Sequence, residues 1–222
     1  MPKIIKATNA NFTKLLSEKR GFLVSVYLLL AIQLGITAIV ATYMRRHQEV
    51  HDVIARLAIL WFIMSLIIII VLAAVPMPTL LKLALFTIFS VLLGFNCIAA
   101  SNLVSTETIR IALMATVGVF MAMTALAIGL AAAGIDLSFL SFALFAALLG
   151  LLIALIAASF LHASRTIVRV ILVFGVVLFS IFIAYDTNVM LQSGNNDVVM
   201  SAIQLYLDIL NLFTELTGLG SK

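Results

Sequence analysis

Two carboxylates stand where carboxylates are expensive. Asp186 ends the apolar run Val170–Tyr185, and Asp208 sits inside Leu205-Tyr206-Leu207-Asp208-Ile209-Leu210-Asn211. An ionisable group at the centre of a bilayer costs about 2.5–3.5 kcal/mol on insertion scales. Two in consecutive apolar segments therefore call for a partner or a task. If they meet, like charge and desolvation oppose double ionisation, and the pair titrates as a unit. A shared proton would hold the two helices together, and its loss would part them or admit a cation. Carboxylate and amide oxygens are hard ligands suited to Ca²⁺. A third outcome is a hydrogen-bonded pair that only fixes helix register.

The residues around Asp208 extend the pattern. Gln204, Asp208, Asn211 and Glu215 are spaced four, three and four. At 100° per residue they fall within a sector of about 60°. Such a polar seam turns towards protein or a water-filled cavity rather than lipid. Gln204 and Asn211 could then add amide oxygens to a cation site at Asp186 and Asp208, with Glu215 further along. Asp186 lies seven residues before Ser193, and Asp208 eleven after Asp197. At 1.5 Å per residue these depths are about 10 and 16 Å from one surface, a mismatch of about one helical turn.

The elements that must position these acids are membrane helices. The chain of 222 residues is 64% hydrophobic and 10% charged, against about 25% charged in soluble domains. Uncharged runs at Gly21–Met44, Leu57–Leu81, Leu83–Thr106, Ile111–Ile135 and Leu137–Ser164 are each long enough to cross a core of roughly 30 Å. Val170–Tyr185 and the last, polar segment complete an all-α integral membrane fold. The expectation is a seven-transmembrane-helix bundle with the polar C-terminal helix in the centre. Its helices are placed at about 22–44, 55–75, 79–101, 109–133, 137–161, 167–192 and 198–219. No run shows the alternation of a membrane barrel. Residues 1–21 read as a basic arm and 22–219 as one transmembrane bundle.

Charge placement says which way the chain lies. Lys3, Lys6, Lys14, Lys19 and Arg20 face one acid, Glu18, in the arm, and the positive-inside rule puts it in the cytoplasm. Arg45, Arg46, Arg56, Arg165 and Arg169 fall on the opposite side and weaken that vote. The arm's lysines suit anionic lipid and are no sign of nucleic-acid binding. No cleavable signal is read, because some twenty residues precede the first run and that run is too long. Cys97 is alone, so no internal disulfide forms. His47 and His51 share an i, i+4 spacing beside Glu49 and Asp52, but the plainer reading is a solvated loop. Gln33 and Thr37 share a helix face and read as interhelical hydrogen-bond formers, and Asn96 as a packing contact. Lys82 can snorkel to the interface. Gly118 and Gly129 suit close helix contact, and Asp136 a cap for the fifth helix.

Taken together, the motifs resemble a family. Phe174–Thr187 is similar to the sixth-helix signature of the transmembrane Bax inhibitor motif family, which includes the Bax inhibitors, the Lifeguard proteins and the Golgi anti-apoptotic proteins. Leu205–Phe213 resembles its terminal-helix signature. Val26-Tyr27 with Gln33 and Thr37, Phe86-Thr87 after Pro78, and Asp136-Leu137-Ser138 with Phe145 fit other helices. The resemblance implies a pH-sensitive Ca²⁺ leak with the paired aspartates at Asp186 and Asp208. It further implies inhibition of cell death through stored Ca²⁺ in eukaryotic hosts. It places the chain in endoplasmic reticulum or Golgi membrane if eukaryotic or viral, and in the plasma membrane if bacterial. Expected partners are the lipid bilayer, Ca²⁺, protons and apoptosis-regulating membrane proteins, with no cofactor beyond the ion. Some bacterial relatives latch an aspartate with an arginine at the end of helix 2; Ala74-Val75-Pro76-Met77-Pro78 offers none. Two other readings compete. One is an interaction protein that suppresses apoptosis without ion flux. The other is an intramembrane aspartyl protease, disfavoured because Leu205-Tyr206-Leu207 stands where such enzymes carry glycines.

Overall fold

A computed structural model describes residues 2–47, 56–101, 104–192 and 197–221. The helices are α1 Pro2–Arg46, α2 Ala58–Ala74, α3 Thr79–Ser101, α4 Thr106–Ala132, α5 Ser141–Phe160, α6 Arg165–Gln192 and α7 Val198–Gly220. A short 3₁₀ turn, Ser138–Leu140, precedes α5, and no strand occurs among the described residues. Six helical stretches are long and apolar enough to cross a membrane: Ser17–Arg46, Thr79–Cys97, Thr106–Ala132, Ser138–Phe160, Arg165–Gln192 and Val198–Gly220. The chain is a multi-pass integral membrane protein.

Two expectations change. The second span, expected over 55–75, is a helix of 17 residues, short of the roughly 20 a perpendicular crossing needs. Leu57 makes a turn before it, and Val75 leaves it in extended geometry ahead of Pro76. Six of the seven expected crossings thus have the length and composition. The arm at 1–21 is not separate from the first helix, because α1 runs unbroken from Pro2 to Arg46. Residues 2–20 contain neither glycine nor an internal proline to stop it.

The helices gather into two compact units. One holds residues 1–23, 106–196 and 207–222, and the other holds 24–105 and 197–206. In the first, Leu144 and Leu151 of α5, Leu178, Phe179 and Ile183 of α6, and Leu212 of α7 form the core. α4 packs on α6 through Ala112, Thr116, Ala127 and Ala131, small side chains that let helices approach in a setting where lipid supplies no hydrophobic drive. Gly118 and Gly129 do not serve this purpose: a Cβ on either would meet nothing within 4 Å. Alanine and threonine spaced four, eleven and four apart make the buried face instead.

In the second unit, α2 packs on α3, and α1 meets α3 closely at Gly94, where a Cβ would lie 2.7 Å from Val40. Asn96 donates to the Ser65 hydroxyl across α3 and α2 (3.3 Å). Gln33 donates to Thr87 (3.2 Å) and Thr37 bonds the Ser90 carbonyl (2.9 Å), the interhelical role expected of that face of α1.

Candidate functional site: the acids of α6 and α7

Both aspartates belong to the first unit. α6 carries Asp186 two turns before its end at Gln192, and α7 carries Asp208 ten residues after its start. The two helices run antiparallel. Contacts of Gly175 with Glu215 and of Leu172 with Gly218 set the register. In that register Asp186 and Asp208 lie about one helical turn out of level, and their carboxyl groups are close enough to act on each other. A carboxylate only accepts, so a bond between two carboxyls requires a proton on one of them. Asp208 keeps 6% of its surface exposed, and its Oδ2 has no hydrogen-bond partner. Asp186 is partly buried. The turn from which their depths were counted, 193–196, lies outside the described residues.

The expected seam divides. Asp208 and Glu215 are buried, whereas Gln204 and Asn211 are exposed. On a helical projection Gln204 and Asn211 lie about 40° and 60° round from Asp208, just past the rim of the buried face. Their amides are therefore not gathered around the aspartates. Among the described residues no group of three or more His, Cys, Asp or Glu side chains could hold a metal ion. Of the first-loop residues, His47 is exposed, and Glu49, His51 and Asp52 lie outside the described residues.

Glu215 lies two turns beyond Asp208, with 6% of its surface exposed and Oε2 unpartnered. It rests on Gly175 of α6: a Cβ there would come within 2.7 Å of Glu215 Cδ. The absence of a side chain at 175 is what leaves room for the carboxyl.

Just past Asp186, Asn188 is fully buried and fully employed. Its Oδ1 accepts from Leu137 N (2.9 Å) and from Gln192 Nε2 (2.9 Å), and its Nδ2 donates to the Ile135 carbonyl (3.0 Å) and the Ala127 carbonyl (3.4 Å). One amide thus clasps the turn between α4 and α5 to α6. Asp136 steadies the same turn by accepting from the Ser138 amide (2.8 Å) and hydroxyl (2.6 Å). These two bonds hold its carboxyl below the usual carboxylate range. Asp136 thus steadies the turn and is not the expected cap: the N-cap positions of the 3₁₀ turn and of α5 are Leu137 and Leu140, without a side-chain cap bond. The clasp was not foreseen; the polar run Asp186-Thr187-Asn188 at the end of an apolar helix is the signal that could have found it.

Two further groups belong to the second unit. Tyr206 OH meets Thr37 Oγ1 at 2.5 Å. The single Thr37 hydrogen goes to a backbone carbonyl, Ser90 at 2.9 Å or Gln33 at 3.1 Å, so Tyr206 is the donor to Thr37. Lys82 Nζ reaches Asp197 Oδ2 at 2.5 Å, while Asp197 Oδ1 accepts from Val199 N and Met200 N (both 3.1 Å) and caps α7. Lys82 therefore serves the start of α7 and not the paired acids.

Residues 19–219 match the family described as "Inhibitor of apoptosis-promoting Bax1". The chain belongs to the Bax inhibitor family. Among its relatives is the "BI1-like protein" of Arabidopsis thaliana, 30% identical over 197 residues, or 87% of this chain and 77% of that one. "Protein LIFEGUARD 4" from the same plant is 29% identical over 208 residues, covering 88% and 82%. The Bax inhibitor match takes in the whole of the acidic site, from Gly175 through Asp186 and Asp208 to Glu215.

Proposed function

We propose that this Bax inhibitor family member is a proton-sensitive Ca²⁺ leak that restrains cell death where its host is eukaryotic. The observation that carries the reading is the closeness of the Asp186 and Asp208 carboxyls inside a membrane helix pair. With one proton shared, the pair fastens α6 to α7. With both protons gone, two like charges in a poorly hydrated site repel, and the orphaned Asp208 Oδ2 becomes part of a hard-oxygen site for a divalent cation. The remaining ligands would be water and main-chain oxygens, since Gln204 and Asn211 face away. Reconstituted in liposomes, the protein should pass Ca²⁺ at a rate that changes across mildly acidic pH. Asp208→Asn should flatten that response. A variant whose flux follows pH as the wild type does would overturn the reading.

A second reading has the protein act on death-regulating membrane partners without flux. The family description, which names Bax, favours it. A doubly substituted Asp186→Asn, Asp208→Asn protein that carries no Ca²⁺ yet still protects cells would select it. Intramembrane proteolysis gains no support. Such a site needs room for a water between the two acids, and Leu205-Tyr206-Leu207 stands where such enzymes carry glycines.

A further inference from the structure

Glu215 has no part in that reading, yet its surroundings are as demanding as those of the aspartates. It is 6% exposed, its Oε2 lacks a partner, and its carboxyl lies on the bare backbone of Gly175. Among the described residues nothing nearby neutralises a charge. In the same unit, α5 contains no charged residue. Arg165 and Arg169 of α6, Glu107 and Arg110 of α4, and Glu18 and Arg20 of α1 are exposed, with Lys19 partly so. Among the described residues none forms an ion pair with Glu215. A carboxylate cannot rest dry and unpaired in such a place, so the arrangement holds the neutral acid. The group is also near an exit. Gly220 ends α7 five residues on, about 7.5 Å along the axis. Asp208 is seven residues back, about 10 Å, with the buried Leu212 and Phe179 belonging to the core between those levels.

We propose that Glu215, seated on Gly175, is a second proton-binding site, filled from the membrane face at which α7 ends and working independently of the Asp186–Asp208 pair. In its protonated form it lets the last two turns of α7 lie flush on α6. Loss of the proton leaves a charge that must reach water, and the end of α7 lifts from Gly175 to give it access. The aspartates fasten one level of the helix pair and Glu215 fastens another, each with its own proton.

The test is backbone hydrogen exchange of the full chain in lipid nanodiscs, corrected for the intrinsic rate and followed from about pH 5 to pH 8, together with infrared detection of protonated carboxyls. Protection of the α7 amides after Asn211 should fall by about tenfold over that range in the wild type, as expected of a local opening. In Glu215→Gln it should stay level, and one protonated-carboxyl band should vanish. Gly175→Ala fills the cradle and should leave the same amides poorly protected at every pH. The Asp186→Asn, Asp208→Asn protein should keep the wild-type profile, which separates this site from the proposed leak. Equal profiles for Glu215→Gln and wild type would overturn the proposal. So would a profile that disappears with the aspartates, or a Gly175→Ala protein whose protection equals that of the wild type.

Discussion

The two halves of α7 bury polar groups by opposite rules. Up to Tyr206 the helix belongs to one unit, and from Leu207 to the other. In the first half the buried polar atom is a neutral hydroxyl in a closed network. Tyr206 bonds Thr37, which in turn bonds main-chain oxygen, and the ring stacks edge-on against Phe86 at 5.2 Å. In the second half, beside the bonded Thr217 hydroxyl, the buried polar groups are acids, and each of Asp208 and Glu215 keeps an oxygen without a partner. A satisfied network fixes one arrangement. An unsatisfied acid is stable only with its proton, so its packing depends on the solvent. The same helix is thus anchored along one half and conditional along the other. The Asn188 clasp on α6 belongs with the anchored kind, although it lies only two residues from Asp186.

If that contrast holds, damage to satisfied groups should be large and indifferent to pH. Asn188→Ala is the severest case. It takes the side-chain partner from the half-buried Leu137 amide, leaves the Ile135 carbonyl to Gln192 alone, and empties a fully buried site. A loss of about 2–3 kcal/mol is expected in thermal or denaturant unfolding of the detergent-solubilised protein, the same at pH 5 and pH 8. Tyr206→Phe should follow at about 1–3 kcal/mol, since the ring contacts remain and only the Thr37 bond goes. Asp208→Asn reverses the pattern. The amide can still donate to Asp186, so at pH 5 stability should change by under about 1 kcal/mol. What it should remove is the aspartate pair's share of the difference between pH 5 and pH 8, leaving the share of Glu215. A wild-type protein equally stable at both values would break the contrast outright.

The acids could be found in the sequence because a bilayer makes any carboxylate conspicuous. Asp186 and Asp208 needed only their apolar flanks to be noticed, and the helical repeat put Glu215 on the same side as Asp208. The seam failed at Gln204 and Asn211 because a 60° sector is narrower than the uncertainty in where a buried face ends. Amides tolerate the rim, and acids do not. The helices were legible for the same reason, with errors where hydropathy is mute. Nothing in Arg56-Leu57-Ala58 announces that α2 begins so late. Nothing apolar marks residues 2–20 as a continuation of α1. The clasp and the Lys82–Asp197 pair stayed hidden because they join residues 51 and 115 positions apart, and spacing within a segment carries no information about such pairs. Gly175 falls within the Phe174–Thr187 signature, but its use, as a seat for Glu215, depends on a register that only the paired helices reveal.

The weakest expected effect sharpens the contrast most, because it sets the pH scale. Asp197 stands outside the apolar span. Its partial burial pulls its carboxyl upward, but the Lys82 ammonium and the Met200 and Val199 amides outweigh that and hold it below the usual value. A carboxyl depressed by folding stabilises the folded protein above its unfolded value of about 3.9 and loses that contribution as pH falls through its lower folded value. Between pH 5 and pH 8 its contribution is therefore constant. Lys82→Met should cost no more than about 1 kcal/mol at pH 7, and the gap from wild type should close only below about pH 4. Asp197→Asn, which keeps an oxygen for the cap at Val199 and Met200, should behave alike. Asp197→Ala should lose the cap as well, about 1 kcal/mol more. Because this partly buried pair is silent above pH 5, any stability change there must arise from other groups. If Lys82→Met instead erased a transition between pH 5 and pH 8, the conditional half of α7 would owe its pH response to its tether at Asp197 and not to Asp208 or Glu215.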